Sequence, residues 1–150
     1  MINILPQINK MNRGAWLETE MIIECLRDKE ALTIYGGAVY PTQNIDSTLK
    51  ARDNWFAKTH GVANPHYFWK IIVASRNGIY KNDNGVIVFW IPNTIEATAK
   101  RTSSYVVSLT ELENKLTYYG AINEKFTSFT TVEKDHVPSY WAPLAGCDRS

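Results

Sequence analysis

The stretch His66–Asn93, HYFWKIIVASRNGIYKNDNGVIVFWIPN, decides how this chain folds. Its two apolar runs, HYFWKIIVAS and GVIVFWIPN, are rich in β-branched and aromatic residues, the composition of buried strands. Between them RNGIYKNDNG carries two Asn-Gly pairs, the strongest short-range turn signal, so the pattern predicts an antiparallel hairpin.

Toward the N-terminus, ALTIYGGAVY reads as another strand, interrupted at Gly36-Gly37 and ended by Pro41. Before it, AWLETEMIIECLRDKE follows Gly14 and reads as a helix. Trp16, Thr19, Ile23 and Leu26 recur at steps of three and four, with Ala15 and Ile22 beside them. Toward the C-terminus, SYVVS reads as a short strand. Ser108 with Glu111 then forms a capping-box pattern that opens a short helix. Thr42 to Pro65 is polar and mixed, a loop long enough for a functional role. The tail, with Pro138, Pro143 and several aromatics, reads as irregular structure packed on the body. A helix, a hairpin-rich sheet and a second helix predict an α+β fold with a mostly antiparallel sheet, one domain over residues 1–150.

Composition sets limits. The chain is 45% hydrophobic and 21% charged, which places it with folded rather than disordered proteins. Its net charge of +1 means that a polyanionic partner would have to be met by a local basic patch. No apolar run approaches the roughly 20 residues of a membrane span, so no membrane partner is expected. Residues 1–11 lack the basic front and apolar stretch of a signal peptide. Cys25, beside Ile22, Ile23 and Leu26, reads as a buried free thiol; a bridge to Cys147 is the alternative, and spacing does not choose between them.

The segment Asn9–Glu20, NKMNRGAWLETE, is where chemistry could lie. Asn12 suits a helix N-cap, its side-chain oxygen accepting from an orphan N–H of the first turn. Glu20 then reads as an ordinary solvated carboxylate. In an uninterrupted helix the two would stand roughly 80° apart around the axis and ~12 Å along it. That is too far to share one ion directly, but a metal-bound water could connect them.

Five segments in order resemble the DNA/RNA non-specific endonucleases, the nucleases with a ββα-metal (His-Me) finger. NILPQINKMNRGAWLETE is similar to the segment that follows their catalytic histidine. LTIYGGAVY is similar to their strand ending in Thr-Gly-Pro-Leu-Tyr, with Gly37 and Ala38 at its Gly-Pro. NPHYFWKIIV resembles their Ile-Pro-x-x-Tyr/Phe-Trp/Phe-Lys strand, FWIPN their Phe-x-x-Pro-Asn strand, and YVVSLTELE their Tyr-x-Val-Ser-x-x-Glu-Leu-Glu helix entry.

The resemblance implies a Mg²⁺-dependent hydrolase of DNA and RNA that grips phosphates without reading sequence. It implies Asn12 as the single protein ligand of a Mg²⁺ that keeps its waters. It makes Glu20 the helix carboxylate that orders metal-bound water or serves the leaving group, and Asn3 a residue that braces the site. Arg13 and Lys10, with Lys50, Arg52 and Lys58, would form a basic approach for nucleic acid; scattered solvated charges are the plainer reading. Members are often secreted, periplasmic or organellar.

Several family features are missing. The general-base histidine belongs to an Asp-Arg-Gly-His motif, which occurs nowhere in the 150 residues, and the family's upstream arginine is absent too. The chain therefore reads as the C-terminal portion of such a domain, inactive by itself, with a non-catalytic nucleic-acid-binding or interaction domain as the alternative. His60, His66 and His136 read as surface residues, and a zinc pair from His60 and His66 lacks completing ligands. Glu24 stands where relatives often have arginine. Ser103 or Ser104 occupies the place of the partner in a family disulfide near Cys147.

Overall fold

In the computed structural model, residues 9–45 and 65–141 are described, with the backbone alone for Asn9 and Lys10. The order is α1 (Asn9–Arg13), α2 (Ala15–Leu26), β1 (Thr33–Val39), β2 (Tyr67–Val73), β3 (Val86–Pro92), α3 (Leu109–Tyr118) and α4 (Thr131–Asp135), with short 3-10 turns at Lys81–Asp83 and Ala99–Tyr105. The strands form one antiparallel sheet in the order β1-β2-β3. The fold class read from the sequence is the one observed.

The hairpin is there, but its connection is long. Val73 pairs with Val86, and the chain between them makes a 3-10 turn before reversing. Only the second Asn-Gly pair makes the reversal: Asn84 and Gly85 have φ of 56° and 71°. A Cβ on Gly85 would come within 2.7 Å of the Ser75 carbonyl oxygen, so the turn admits no side chain there.

β2 and β3 are buried on both faces, which explains why they read as continuous apolar runs. On one face Phe68, Ile72, Ile87, Phe89 and Ile91 pack under Met11, Ala15, Ile22 and Leu26 of α1 and α2. On the other, Tyr67, Ile71, Val88 and Trp90 pack under Leu109, Leu112 and Leu116 of α3. Each such side chain contributes ~1.5–3 kcal/mol by leaving water.

Several expectations need correction. β1 runs unbroken through Gly36-Gly37, because Gly37 leaves room for the Trp69 indole. α2 ends at Leu26, short of the expected Glu30. SYVVS is not a strand; a 3-10 turn ends at Tyr105, and Val106 makes a single bridge to Phe89. The tail is not wholly irregular: Thr130 and Glu133 form a reciprocal capping box that opens α4. The capping signal at Ser108 is observed, its hydroxyl accepting from the Glu111 N–H at 3.0 Å. Cys25 is not a free thiol but disulfide-bonded. The sequence has one other cysteine, Cys147, which lies outside the described residues, as does most of the loop 42–65.

Candidate functional site

The helix bearing Asn12 does not start as its sequence suggests. Asn9–Arg13 forms a turn of its own, and Gly14, not Asn12, is the N-cap of α2. The Gly14 N–H donates to the Met11 carbonyl at 3.2 Å, and the Ala15 N–H to the Ala97 carbonyl at 3.1 Å. Met11 and Ala15 are fully buried. With both anchored inward, Asn12 and Arg13 are turned out to solvent. The straight-helix spacing between Asn12 and Glu20 therefore does not carry over.

Glu20 is also exposed, on α2. The side chains of Asn12, Arg13 and Glu20 make no hydrogen bond or contact ion pair within the described residues, although the Glu20 charge acts on Lys70. Lys10 lies in α1 without a described side chain; Asn3, Lys50, Arg52, Lys58 and His60 lie outside the described residues. Glu24, at the arginine position, pairs with Arg27 at 2.7 Å on the exposed surface. That contact offsets part of its negative charge.

The lysine of the NPHYFWKIIV strand, to which the motif alone gives no role, stands beside the helix. Lys70, in the middle of β2, is buried, and its ammonium donates to Thr19 Oγ1 at 2.9 Å. It also lies 3.8 Å from the centre of the Trp16 ring. Burial pushes its pKa down to about 8, against the upward pull of the Glu20 charge. The signal was a lysine inside the apolar run YFWKIIV, where only a satisfied amine is tolerated.

Of the two described histidines, His66 departs from the surface reading and His136 stays partly exposed. His66 is buried at the start of β2, with its backbone N–H on the Val39 carbonyl at 2.8 Å. His136 is half-buried, its Nε2 2.8 Å from Asp83 Oδ1.

Among the described residues no group of three or more His, Cys, Asp or Glu could hold a metal ion. A magnesium ion that keeps several waters and shares its site with substrate phosphates needs no such cluster, and an outward-facing amide oxygen can be one of its donors. Asn12 offers that donor and has no competing partner among the described residues. No helix among these residues is long and apolar enough to cross a membrane.

Comparison with protein families matches residues 1–127 to the DNA/RNA non-specific endonucleases. Comparisons with curated proteins and with solved structures gave no match.

Proposed function

Because the chain belongs to the DNA/RNA non-specific endonuclease family, we propose that the α1–α2 break is a phosphate- and metal-holding site for nucleic acid. Asn12 would hold a divalent cation, Mg²⁺, through its carboxamide oxygen. When bound, that cation would neutralise charge on a phosphodiester and on its leaving oxygen. Glu20 would orient water or hold a proton at the leaving oxygen, Arg13 and Lys10 would meet neighbouring phosphates, and Asn3 would brace the segment. Contact through phosphates rather than base edges gives one site for both DNA and RNA.

The observation that carries this reading is the outward, uncommitted pair Asn12-Arg13 beside the inward pair Met11 and Ala15. The general base is another matter. The 150 residues contain no Asp-Arg-Gly-His, His66 is buried, and His136 is engaged with Asp83. General-base catalysis contributes on the order of 10²–10⁴ in rate, so this polypeptide assayed alone is expected to bind nucleic acid and not to cut it.

The test pairs a plasmid-nicking assay, with Mg²⁺ or EDTA, with duplex binding at several salt concentrations. The expected result is no nicking, with Mg²⁺-dependent binding that Asn12→Ala weakens. Arg13→Ala should reduce the salt slope by about one. EDTA-sensitive nicking abolished by Asn12→Ala would overturn the binding-only reading while keeping the site. Duplex binding that ignores Mg²⁺ and both variants would overturn the site itself.

A further inference from the structure

The face of the sheet turned away from α2 carries a second site. Side chains alternate along strands, so Tyr35 and Gly37 of β1 share a face with Trp69 and Ile71 of β2, opposite Lys70. There a cavity of about 280 Å³ is lined by Tyr35, Trp69, Ile71, Lys125, Phe126 and Phe129, with the hydroxyl residues Thr127 and Ser128 beside them.

Its walls are built. A Cβ on Gly37 would fall 2.7 Å from Trp69 Nε1, so the indole sits where only glycine leaves room. On the far side, buried Glu113 accepts the Phe126 N–H at 2.6 Å and the Lys134 ammonium at 2.8 Å. Lys134 also donates to the Phe126 carbonyl at 3.3 Å, fixing the backbone that presents the aromatic wall. Lys134 answers the Glu113 charge at contact distance; Lys125 also favours the ionised Glu113 but from further off, and its exposed ammonium makes no ion pair among the described residues. The Trp69 indole N–H has no hydrogen-bond acceptor among the described residues.

Four aromatic rings, one cation and an open N–H donor match a flat heteroaromatic ring that carries an adjacent negative charge. A plain apolar side chain would leave the cation and the donor unused. A base inside a duplex presents no free face to stack on, whereas an unpaired base does. We propose that this cavity binds an unpaired nucleobase of a single strand, stacked among Tyr35, Trp69 and Phe126, with Lys125 on its phosphate. The inference rests on the nucleic-acid reading above but uses residues on the opposite side of the sheet. It makes the protein a better ligand for single strands than for duplex.

The test measures binding of a labelled oligothymidylate of about 10 nucleotides and of its duplex with oligoadenylate. Trp69→Ala is expected to weaken single-strand binding roughly ten-fold or more and to leave duplex binding unchanged. Lys125→Ala, an exposed change that keeps the fold, should weaken it and lower the salt slope by about 0.7. Gly37→Ala should act like Trp69→Ala by displacing the indole. Thymidine 5′-monophosphate should also shift the Trp69 indole N–H signal in NMR spectra, with Trp69→Phe giving the assignment. Variants that bind the single strand like the parent would overturn the proposal, whatever duplex binding shows. So would N-acetyltyrosinamide shifting the indole signal as strongly as the nucleotide. A parent protein that binds the single strand but not the duplex would count against the α1–α2 site and not against this one.

Discussion

Replacing Asp83 with alanine is expected to lower stability by about 3–4 kcal/mol and to release residues 136–141 from the body of the protein. The residue is 6% exposed and ends the 3-10 turn after β2. One carboxylate accepts from His136 Nε2 at 2.8 Å, the Ser139 N–H at 3.2 Å, Ser139 Oγ at 2.8 Å and Trp141 Nε1 at 3.0 Å. Hydrogen bonds to an ionised group contribute ~1.5–3 kcal/mol each, and they are not additive. Deleting the acceptor also leaves the N–H of Trp141 buried without a partner. That indole is 1% exposed and stacks on Tyr80, with ring centres 3.9 Å apart and planes 5° from parallel.

Acid should have a related effect. Burial favours the neutral acid, but the bonds from His136, Ser139 and Trp141 outweigh it, and the Asp83 pKa falls below its ordinary 3.8. A carboxylate held lower in the folded state contributes stability that is present above its ordinary value and is lost as pH falls through the folded value. The parent protein should therefore lose stability below about pH 4 more steeply than Asp83→Ala. Urea titrations at pH 3, 4 and 7, with limited proteolysis of the tail, measure both effects. Equal stability of the two proteins at pH 7 would refute the argument.

This clasp also shows where local reading ends. The hairpin was legible because composition and an Asn-Gly turn agree within one short stretch, and Asn84-Gly85 makes the reversal. The caps at Ser108 and Thr130 are equally local, although the second passed unread in a tail judged by its prolines. Asp83 and His136 stand 53 positions apart, and no periodicity links them. The cavity beside β1 likewise gathers residues 35, 69, 71 and 125–129, from three segments that only the folded sheet aligns. At the candidate metal site the motif was readable by resemblance, but its geometry was not. Gly14 takes the cap and breaks the helix, so Asn12 points outward for a reason that no capping preference encodes. The Gly36-Gly37 pair has the local look of a break, because the ring it accommodates lies on a neighbouring strand.

Lys70→Met is expected to raise stability at pH 7 by about 1–2 kcal/mol, an unusual sign for a buried position. Above about pH 10.4 the amine is neutral in both folded and unfolded chains, and its burial costs nothing through ionisation. As pH falls toward the folded value of about 8, the unfolded chain takes up the proton and the folded one resists it, so stability drops. The gap from the ordinary 10.5 to about 8 amounts to about 3 kcal/mol at neutral pH. Against this, methionine forfeits the bond to Thr19 Oγ1 and the contact with the Trp16 ring, about 1–2 kcal/mol together. Thr19 stays satisfied because its hydroxyl donates to the Trp16 carbonyl at 2.7 Å. The difference in stability between parent and variant isolates Lys70 from the other lysines and tyrosines that titrate in the same range. It should fall steadily between pH 8 and 10.5 and reverse sign as the ionisation cost vanishes, and a difference that stays constant would sink the claim. Glu20 supplies the second arm, since its charge is what holds the Lys70 value up against burial. Glu20→Gln should move the Lys70 ammonium titration to lower pH, as followed by NMR, and leave the Lys70→Met profile unchanged.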